Sequence, residues 1–173
     1  MTLYPIGLNV VDTELWDAAT GALARTYRTG RHEVAAAVRT RSGAIHVGVH
    51  MAGSAGRSSV CAEAMALGSV LTAAEAQLAT VIDTVLAVLH RPGPERGTMR
   101  MIAACGLCRE LLFDYCPDAW NYIHIFDPDT PVTQVPAEPE ASRGITGPVD
   151  LVPGSVERLR VRDLMPGKNL RSW

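Results

Sequence analysis

Three cysteines and one glutamate, in two short motifs, constrain this chain more than any other feature. Cys61-Ala62-Glu63 comes first, and Cys105-Gly106-Leu107-Cys108 follows at a distance. The C-x-x-C spacing puts two sulfurs on one face of a first helical turn, a common half of a zinc site. We therefore expect a fold in which two helices begin side by side and bring the three sulfurs together.

The residue types in these motifs suit a hydrolytic metal site. Cys61, Cys105 and Cys108 are the predicted zinc ligands, and they would leave the fourth position of a tetrahedral ion open for water. Glu63 is the predicted catalytic residue, because it would face the open position without binding the metal and could move protons there. Backbone N–H groups at a helix start stabilise anions and so favour thiolates. Arg109 either offsets the charge of the thiolates or is an ordinary surface arginine.

Two other interpretations of the cysteines stay open at this stage. A C-x-x-C pair alone is often half of a structural zinc site or a redox pair. A structural site usually has four protein ligands, and Cys116 is the one remaining cysteine; we expect it to be a buried thiol at the far end of the helix that begins after Cys105. A non-catalytic zinc-stabilised binding domain is the alternative function, although it would have no use for the carboxylate of Glu63.

Composition narrows the class of substrate and the cellular setting. The 173 residues fit one domain, 1–173, with a net charge of -2 and only 5% aromatic residues. Such a chain has neither a basic surface nor many stacking platforms, so we expect a small-molecule substrate and no nucleic acid. We also expect no membrane association, since no apolar run approaches about 18–20 residues, and a cytoplasmic location, since the cysteines follow metal-like spacing and no signal peptide is evident.

The pattern of apolar residues predicts alternating helices and strands. A hairpin is expected from two apolar runs joined by a glycine turn, and a long excursion punctuated by prolines is expected to form an irregular surface flap. Strands that alternate with helices argue for a three-layer α/β domain. The predicted segments are a helix at 12–27, hairpin strands at 33–39 and 44–49, a helix at 62–71, a strand at 84–89, a loop at 91–97, a short strand or approach loop at 99–103, a helix at 106–115, a strand at 122–126 and the excursion at 128–150.

At these motifs the chain resembles the cytidine deaminase superfamily, in particular its small free-standing branch of cytidine deaminases and blasticidin S deaminases. That branch has C-A-E followed by P-C-G-x-C-R-Q, and the matching residues are Cys61-Ala62-Glu63 and 104–110. The resemblance covers most of 12–127 and the tail, where Leu164-Met165-Pro166 and a late aromatic, Trp173, are similar to the family ending. It implies a three-layer α-β-α sandwich with a mixed five-stranded sheet and a homodimer or homotetramer.

The resemblance also implies an activity and a set of binding residues. The expected function is that of a zinc-dependent aminohydrolase, in which zinc-bound hydroxide displaces the amino group of a cytosine nucleoside-like compound or nucleoside antibiotic. Another amino-heterocycle, a purine or a triazine, is the alternative substrate. Backbone groups at Ala62 and Ala103 would hold the ring, and His50 and Trp173 are predicted pocket residues.

Departures from the family pattern bear on the substrate. Cytidine deaminases carry N-x-E, which binds the ribose hydroxyls, where this chain has His50 and Ala52. Without those partners the hydroxyls of cytidine would lack hydrogen bonds, and lost hydrogen bonds of this kind strongly reduce discrimination between substrates. We therefore expect a substrate whose ring substituent differs from ribose. Ala64 stands where cytidine deaminases have an arginine beside the metal. Ala104 replaces the usual proline, and Glu110 the usual glutamine; neither position binds metal, and we expect the chemistry to survive.

Overall fold

A computed structural model describes residues 4–74, 78–93, 97–125, 144–145, 149–152 and 154–168. Its helices and strands follow one another in the alternating order expected of an α/β domain. In chain order they are α1 (Thr13–Thr26), β1 (Val34–Thr40), β2 (Ile45–Val49), α2 (Ala62–Ala74), α3 (Leu78–Val81), β3 (Ile82–Arg91), β4 (Gly97–Ile102), α4 (Gly106–Tyr115), β5 (Trp120–Ile125), β6 (Val149–Leu151) and β7 (Ser155–Arg160).

The strands of the described ranges form one mixed sheet. The main path runs β2-β1-β3-β4-β6, and β5 pairs with both β3 and β7. The pairs β1–β2, β1–β3, β3–β4 and β5–β7 are antiparallel, whereas β3–β5 and β4–β6 are parallel. The long strand β3 makes this possible, because its second half pairs with β4 while its first half pairs with β5.

Helices cover both faces of the sheet, which gives the three-layer architecture. Side chains of β1 alternate between the faces: Ala36 and Val38 pack in the core beneath α2 and α4, while Ala35 and Ala37 pack in the core beneath α1. Leu15, Trp16 and Leu23 fill the α1 side, and Val70 and Leu112 belong to the other core. The candidate metal ligands all belong to the α2 and α4 side.

The fold class predicted from the sequence is confirmed, and the sheet is larger than predicted. The strands expected at 33–39, 44–49, 84–89 and 122–126 are present, the segment at 99–103 belongs to a strand rather than to a loop, and β6 and β7 extend the sheet. Part of the excursion expected at 128–150 lies outside the described residues, and its end is the strand β6 rather than an irregular flap. The loop expected at 91–97 overlaps the end of β3 and the start of β4. No helix in the described ranges has the length and apolar character needed to cross a membrane.

Candidate active site

The cysteines of the two motifs meet where α2 and α4 begin. Cys61 directly precedes α2, Cys105 is the N-cap residue of α4, and Cys108 lies in its first turn. The sulfur atoms of the three residues all lie within 4.8 Å of one another, and the Cys61 and Cys105 sulfurs are 3.7 Å apart. Cys108 is buried, Cys61 is half-buried and Cys105 is exposed, so the cluster has a closed inner side and an open outer side.

Glu63 places a carboxylate against this cluster. It lies in the first turn of α2, its residue surface is 4% exposed, and its side chain interacts with the Cys108 thiol. Burial raises the pKa of Glu63 above its ordinary value, and hydrogen bonds with its own backbone and with Cys108 only partly oppose that rise. A buried carboxyl with a raised pKa is suited to accepting a proton and returning it.

The ionisation of the thiols indicates what the cluster can hold. Burial and the nearby acidic groups raise the pKa of Cys61 and of Cys108. Burial alone would also raise the pKa of Cys105, but contacts with the Cys108 backbone and the other two thiols lower it. Three thiolates beside the Glu63 carboxylate would repel one another, and a divalent cation among the sulfurs removes that repulsion. The donor set therefore fits Zn²⁺, which thiolates bind well.

A glycine in β2 fixes the position of the helix that carries Cys61 and Glu63. A Cβ atom added to Gly48 would lie 2.3 Å from the Ala62 carbonyl oxygen and 2.3 Å from the Ala66 nitrogen. Only glycine allows the backbone of α2 to approach the strand so closely. The sequence therefore sets the start of α2 against the sheet, and with it the first half of the cluster.

The second half of the cluster is held by the turn between β4 and α4. Ala104 is buried, and its carbonyl oxygen accepts a hydrogen bond of 2.8 Å from the Arg109 Nε atom. Arg109 therefore folds back over the residue that precedes Cys105 instead of extending into solvent. Its guanidinium lies near the start of α4, where a positive charge opposes the charge of thiolates.

The predicted pocket residues differ in where the structure places them. His50 lies directly after β2 on the side facing α2, because side chains alternate along the strand and Gly48 contacts that helix. The backbone pair Met51–Val60 is doubly hydrogen bonded, at 3.0 and 2.9 Å, which sets His50 opposite Cys61. The His50 Nδ1 atom is buried and has no hydrogen-bond partner among the described residues.

The other residues predicted to bind the substrate are Ala62, Ala103 and Trp173, and Cys116 was predicted to be a buried thiol. Ala62 is buried in the first turn of α2, and Ala103 is half-buried in the turn before Cys105, so both backbones border the cluster. Trp173 lies outside the described residues. Cys116 is fully buried at the end of α4, and burial raises its pKa to about 12. It does not belong to the described cluster of potential metal ligands.

A cavity of about 610 Å³ shares the helix α2 with the cluster but does not include the cysteines. It runs along β2 and the outer face of α2, with Val47, Val49, Met51 and Met65 among its walls. None of the three cysteines lines it, so its apolar walls do not define the reacting centre. In the part of the chain that the structure describes, the thiol cluster and Glu63 together offer groups that suit hydrolytic chemistry.

Arg31, which was not predicted from the sequence as a site residue, contacts the segment that follows β2. Arg31 donates from its Nη1 atom to the Ala52 carbonyl oxygen at 3.1 Å, and its own carbonyl accepts from the Ala52 N–H at 3.0 Å. Arg31 precedes β1 in a turn without periodicity, and no local pattern could have indicated its contact with a residue 21 positions later.

A curated relative decides the family. Blasticidin-S deaminase of Bacillus cereus is 38% identical to this chain over 115 residues, which cover 66% of this chain and 79% of the relative. The chain belongs to the cytidine deaminase superfamily. As a member of this superfamily it is a hydrolytic deaminase enzyme. No protein-family model matches the sequence.

Solved structures support the fold of this cytidine deaminase superfamily member. Cytidine deaminase of Burkholderia pseudomallei aligns with a TM-score of 0.60 at 22% identity, over 90% of this chain and 96% of that one. Cytidine deaminase of Bacillus anthracis aligns with a TM-score of 0.57 at 16% identity, over 91% of this chain and 89% of that one. At these identities the likeness concerns the fold alone.

Proposed function

We propose that the chain is a zinc-dependent aminohydrolase that removes the amino group of a cytosine nucleoside-like compound or a nucleoside antibiotic. The observation that carries the proposal is the meeting of three cysteine sulfurs within 4.8 Å with the buried carboxylate of Glu63 beside them. The name of the relative from Bacillus cereus, blasticidin-S deaminase, supports an antibiotic of this kind as the substrate.

The proposed roles follow from where each group lies. Cys61, Cys105 and Cys108 would hold zinc, which when bound supplies Lewis-acid activation of water at neutral pH. Glu63 accepts the two protons of the attacking water one after the other and passes the first to a ring nitrogen and the second to the departing amine. One water is consumed and one ammonia is released, so the carboxylate of Glu63 ends the cycle in the state in which it began.

Residues around the cluster would bind and orient the ring. The backbone groups at Ala62 and Ala103 border the cluster, and His50 lies opposite Cys61 with an unpartnered buried Nδ1 atom among the described residues. A polar atom enclosed without a partner is costly, and a hydrogen bond to substrate would remove that cost. We propose Trp173, at the end of the chain, as a further pocket residue.

The decisive experiment measures ammonia release by zinc-loaded protein. The panel contains cytidine, deoxycytidine, cytosine, blasticidin S, an aminopurine and an aminotriazine, and Glu63→Gln is the matched control because it keeps the shape of the side chain but not its basicity. We expect release from at least one cytosine compound by the wild type only, with about one zinc per chain in both proteins. Equal release by the wild type and Glu63→Gln would overturn the proposed mechanism.

Assembly and location are further parts of the proposal. We propose a homodimer or homotetramer in the cytoplasm. Exposed apolar side chains near the cluster support self-association, because Met51, Met65 and Leu107 are 49%, 40% and 71% exposed. Light scattering coupled to size exclusion measures the mass directly, and a single species of 18.5 kDa would exclude the assembly.

A further inference from the structure

A turn of the chain beside the proposed active site carries a positive charge that the catalytic roles do not use. The segment before β1 contains Arg31, which is exposed, and it pairs with the segment after β2 through both hydrogen bonds between Arg31 and Ala52. One of these bonds uses the guanidinium itself, so the side chain is held in place rather than free in solvent.

The spacing between the backbone segments of Arg31 and Cys61 suits a substituent on the ring of a bound substrate. The segment holding Cys61 pairs with the segment holding His50 and Ala52 through the Met51–Val60 pair, and the latter segment pairs with Arg31. Neighbouring backbone segments lie about 4.8 Å apart, so two such steps place the Arg31 segment about 10 Å from that of Cys61. The segment of His50 lies between the two, so a substituent that extends from a ring at the cluster past His50 would reach the Arg31 segment.

The charge of Arg31 is not balanced within the described part of the chain. No carboxylate there forms an ion pair with it, and its one side-chain partner, the Ala52 carbonyl, is neutral. The nearest acidic residue along the chain, Glu33, is already engaged by the Gly30 N–H at 3.0 Å and by Arg91 at 2.5 Å. His32 is directed to the His50 carbonyl at 2.9 Å.

We propose that Arg31 is a specificity-determining residue that selects substrates whose ring substituent bears a negative charge, either a carboxylate or a phosphate. This inference rests on the proposed function, since it places the reacting ring at the cysteine cluster. A guanidinium retains several N–H donors after one is used, and a carboxylate or phosphate accepts two of them side by side. A neutral substituent gains no such pair.

The test uses substrates that differ only in charge. The compound 1-(carboxymethyl)cytosine carries a carboxylate, and 1-(carbamoylmethyl)cytosine is its neutral amide of the same shape. Cytidine 5′-monophosphate and cytidine form a second pair that differs by a phosphate. Comparison of the two pairs shows whether the enzyme prefers a carboxylate or a phosphate. For wild-type enzyme we expect kcat/KM to favour the charged member of at least one pair by about 10- to 100-fold, mainly through KM.

Variants assign the preference to Arg31. Arg31→Gln keeps hydrogen-bond donors but removes the charge. We expect the ratio of kcat/KM between the charged and the neutral member to fall to about 1. Arg31→Lys restores the charge without the planar fork, and we expect part of the preference to return. Arg28→Gln is the matched control, since Arg28 is an exposed arginine of the same turn; we expect it to keep the wild-type preference. A preference unchanged in Arg31→Gln, or absent from the wild type, overturns the proposal.

A binding measurement separates this inference from the proposed function. Calorimetry on Glu63→Gln gives dissociation constants for both pairs without turnover. If no compound releases ammonia, the deamination proposal fails for this substrate class, yet tighter binding of the charged member that disappears in the Glu63→Gln, Arg31→Gln double variant supports the role of Arg31. Equal dissociation constants for charged and neutral members overturn it.

Discussion

The Cys61 and Cys105 sulfur atoms lie 3.7 Å apart although 44 residues separate them along the chain. Each belongs to the start of a different helix, and the helices pack on the same face of the sheet. The cluster therefore depends on the relative position of α2 and α4, and a metal ion bound there would tie the two helices together. Predictions about the metal and about the fold are linked for this reason.

Removal of one cysteine ligand should abolish stoichiometric zinc binding. Cys105→Ser leaves two thiolates, and we expect well below one zinc per chain by elemental analysis together with a lower melting temperature. Cys116→Ala is the control, because Cys116 is a buried thiol outside the cluster. It should keep one zinc and lose only packing energy. Loss of zinc from Cys116→Ala but not from Cys105→Ser would show that the proposed ligands are wrong.

Gly48 offers a test of how the sheet positions Cys61, the first of the proposed zinc ligands. A methyl group at this position would collide with the backbone of Ala62 and Ala66, so Gly48→Ala should displace the start of α2. We expect the free energy of unfolding to fall by about 1–3 kcal/mol and zinc to bind more weakly, as measured by denaturant titration and by competition with a chelator.

Gly68 provides the matched substitution for this experiment. It lies within α2, and a Cβ added there meets nothing within 4 Å. Gly68→Ala should therefore raise the free energy of unfolding by about 0.5–1 kcal/mol, because alanine loses less backbone entropy in a helix. Both variants replace glycine by alanine, and the expected changes in the free energy of unfolding have opposite signs. If Gly48→Ala proved as stable as the wild type, the close approach of strand and helix would be wrong.

Much of this architecture could be predicted from local sequence, because the deciding signals are local. The C-x-x-C spacing after a short strand predicts the start of α4, and the Ser42-Gly43 turn between apolar runs predicts the hairpin of β1 and β2. Strand β7 was missed because its charged residues, Glu157, Arg158 and Arg160, do not suggest a strand. It forms because β5 has a free edge, along which six residues of β5 pair with six residues of β7.

The parts of the site that could not be predicted are those made by contacts between distant segments. The approach of Gly48 to α2 and the pairing of Arg31 with Ala52 both join residues that share no periodicity. A glycine in a strand indicates a close backbone approach in general but does not name the partner. The position of Arg31 depends on how two turns pack, which the sequence near either turn does not specify.

A buried ion-pair network away from the cluster should contribute strongly to stability. Asp12 is fully buried, and its carboxylate contacts Arg39 at 2.6 Å, Arg158 at 3.3 Å and the Tyr122 hydroxyl at 2.7 Å. Asp12→Ala leaves two guanidinium groups without this partner, and we expect the free energy of unfolding to fall by about 3 kcal/mol in urea titration. Asp163 is exposed, and Asp163→Asn should change it by less than about 0.5 kcal/mol.

Acid conditions should destabilise the protein partly through His90. Its residue surface is 4% exposed, and its ring packs edge-on to Tyr27 with the centroids 4.5 Å apart. Burial lowers the pKa of His90. A hydrogen bond with the Thr98 backbone opposes part of this effect, the nearby Arg91 charge adds to the lowering, and Glu33 opposes it least. The folded state thus favours the neutral ring. This contribution to stability is complete above the unfolded pKa of about 6.5 and is lost as the pH falls towards and through the lower folded value.

Replacement of the ring separates this contribution from other acid effects. His90→Phe keeps an aromatic ring against Tyr27 but cannot take up a proton. We expect the melting temperature to drop less in His90→Phe than in the wild type between pH 7.5 and pH 5.5, in scanning calorimetry with zinc content measured at both values. Zinc loss lowers stability in both proteins equally and cancels in the comparison. An equal drop in the two proteins, at equal zinc content, would show that His90 is not protonated on unfolding in this range.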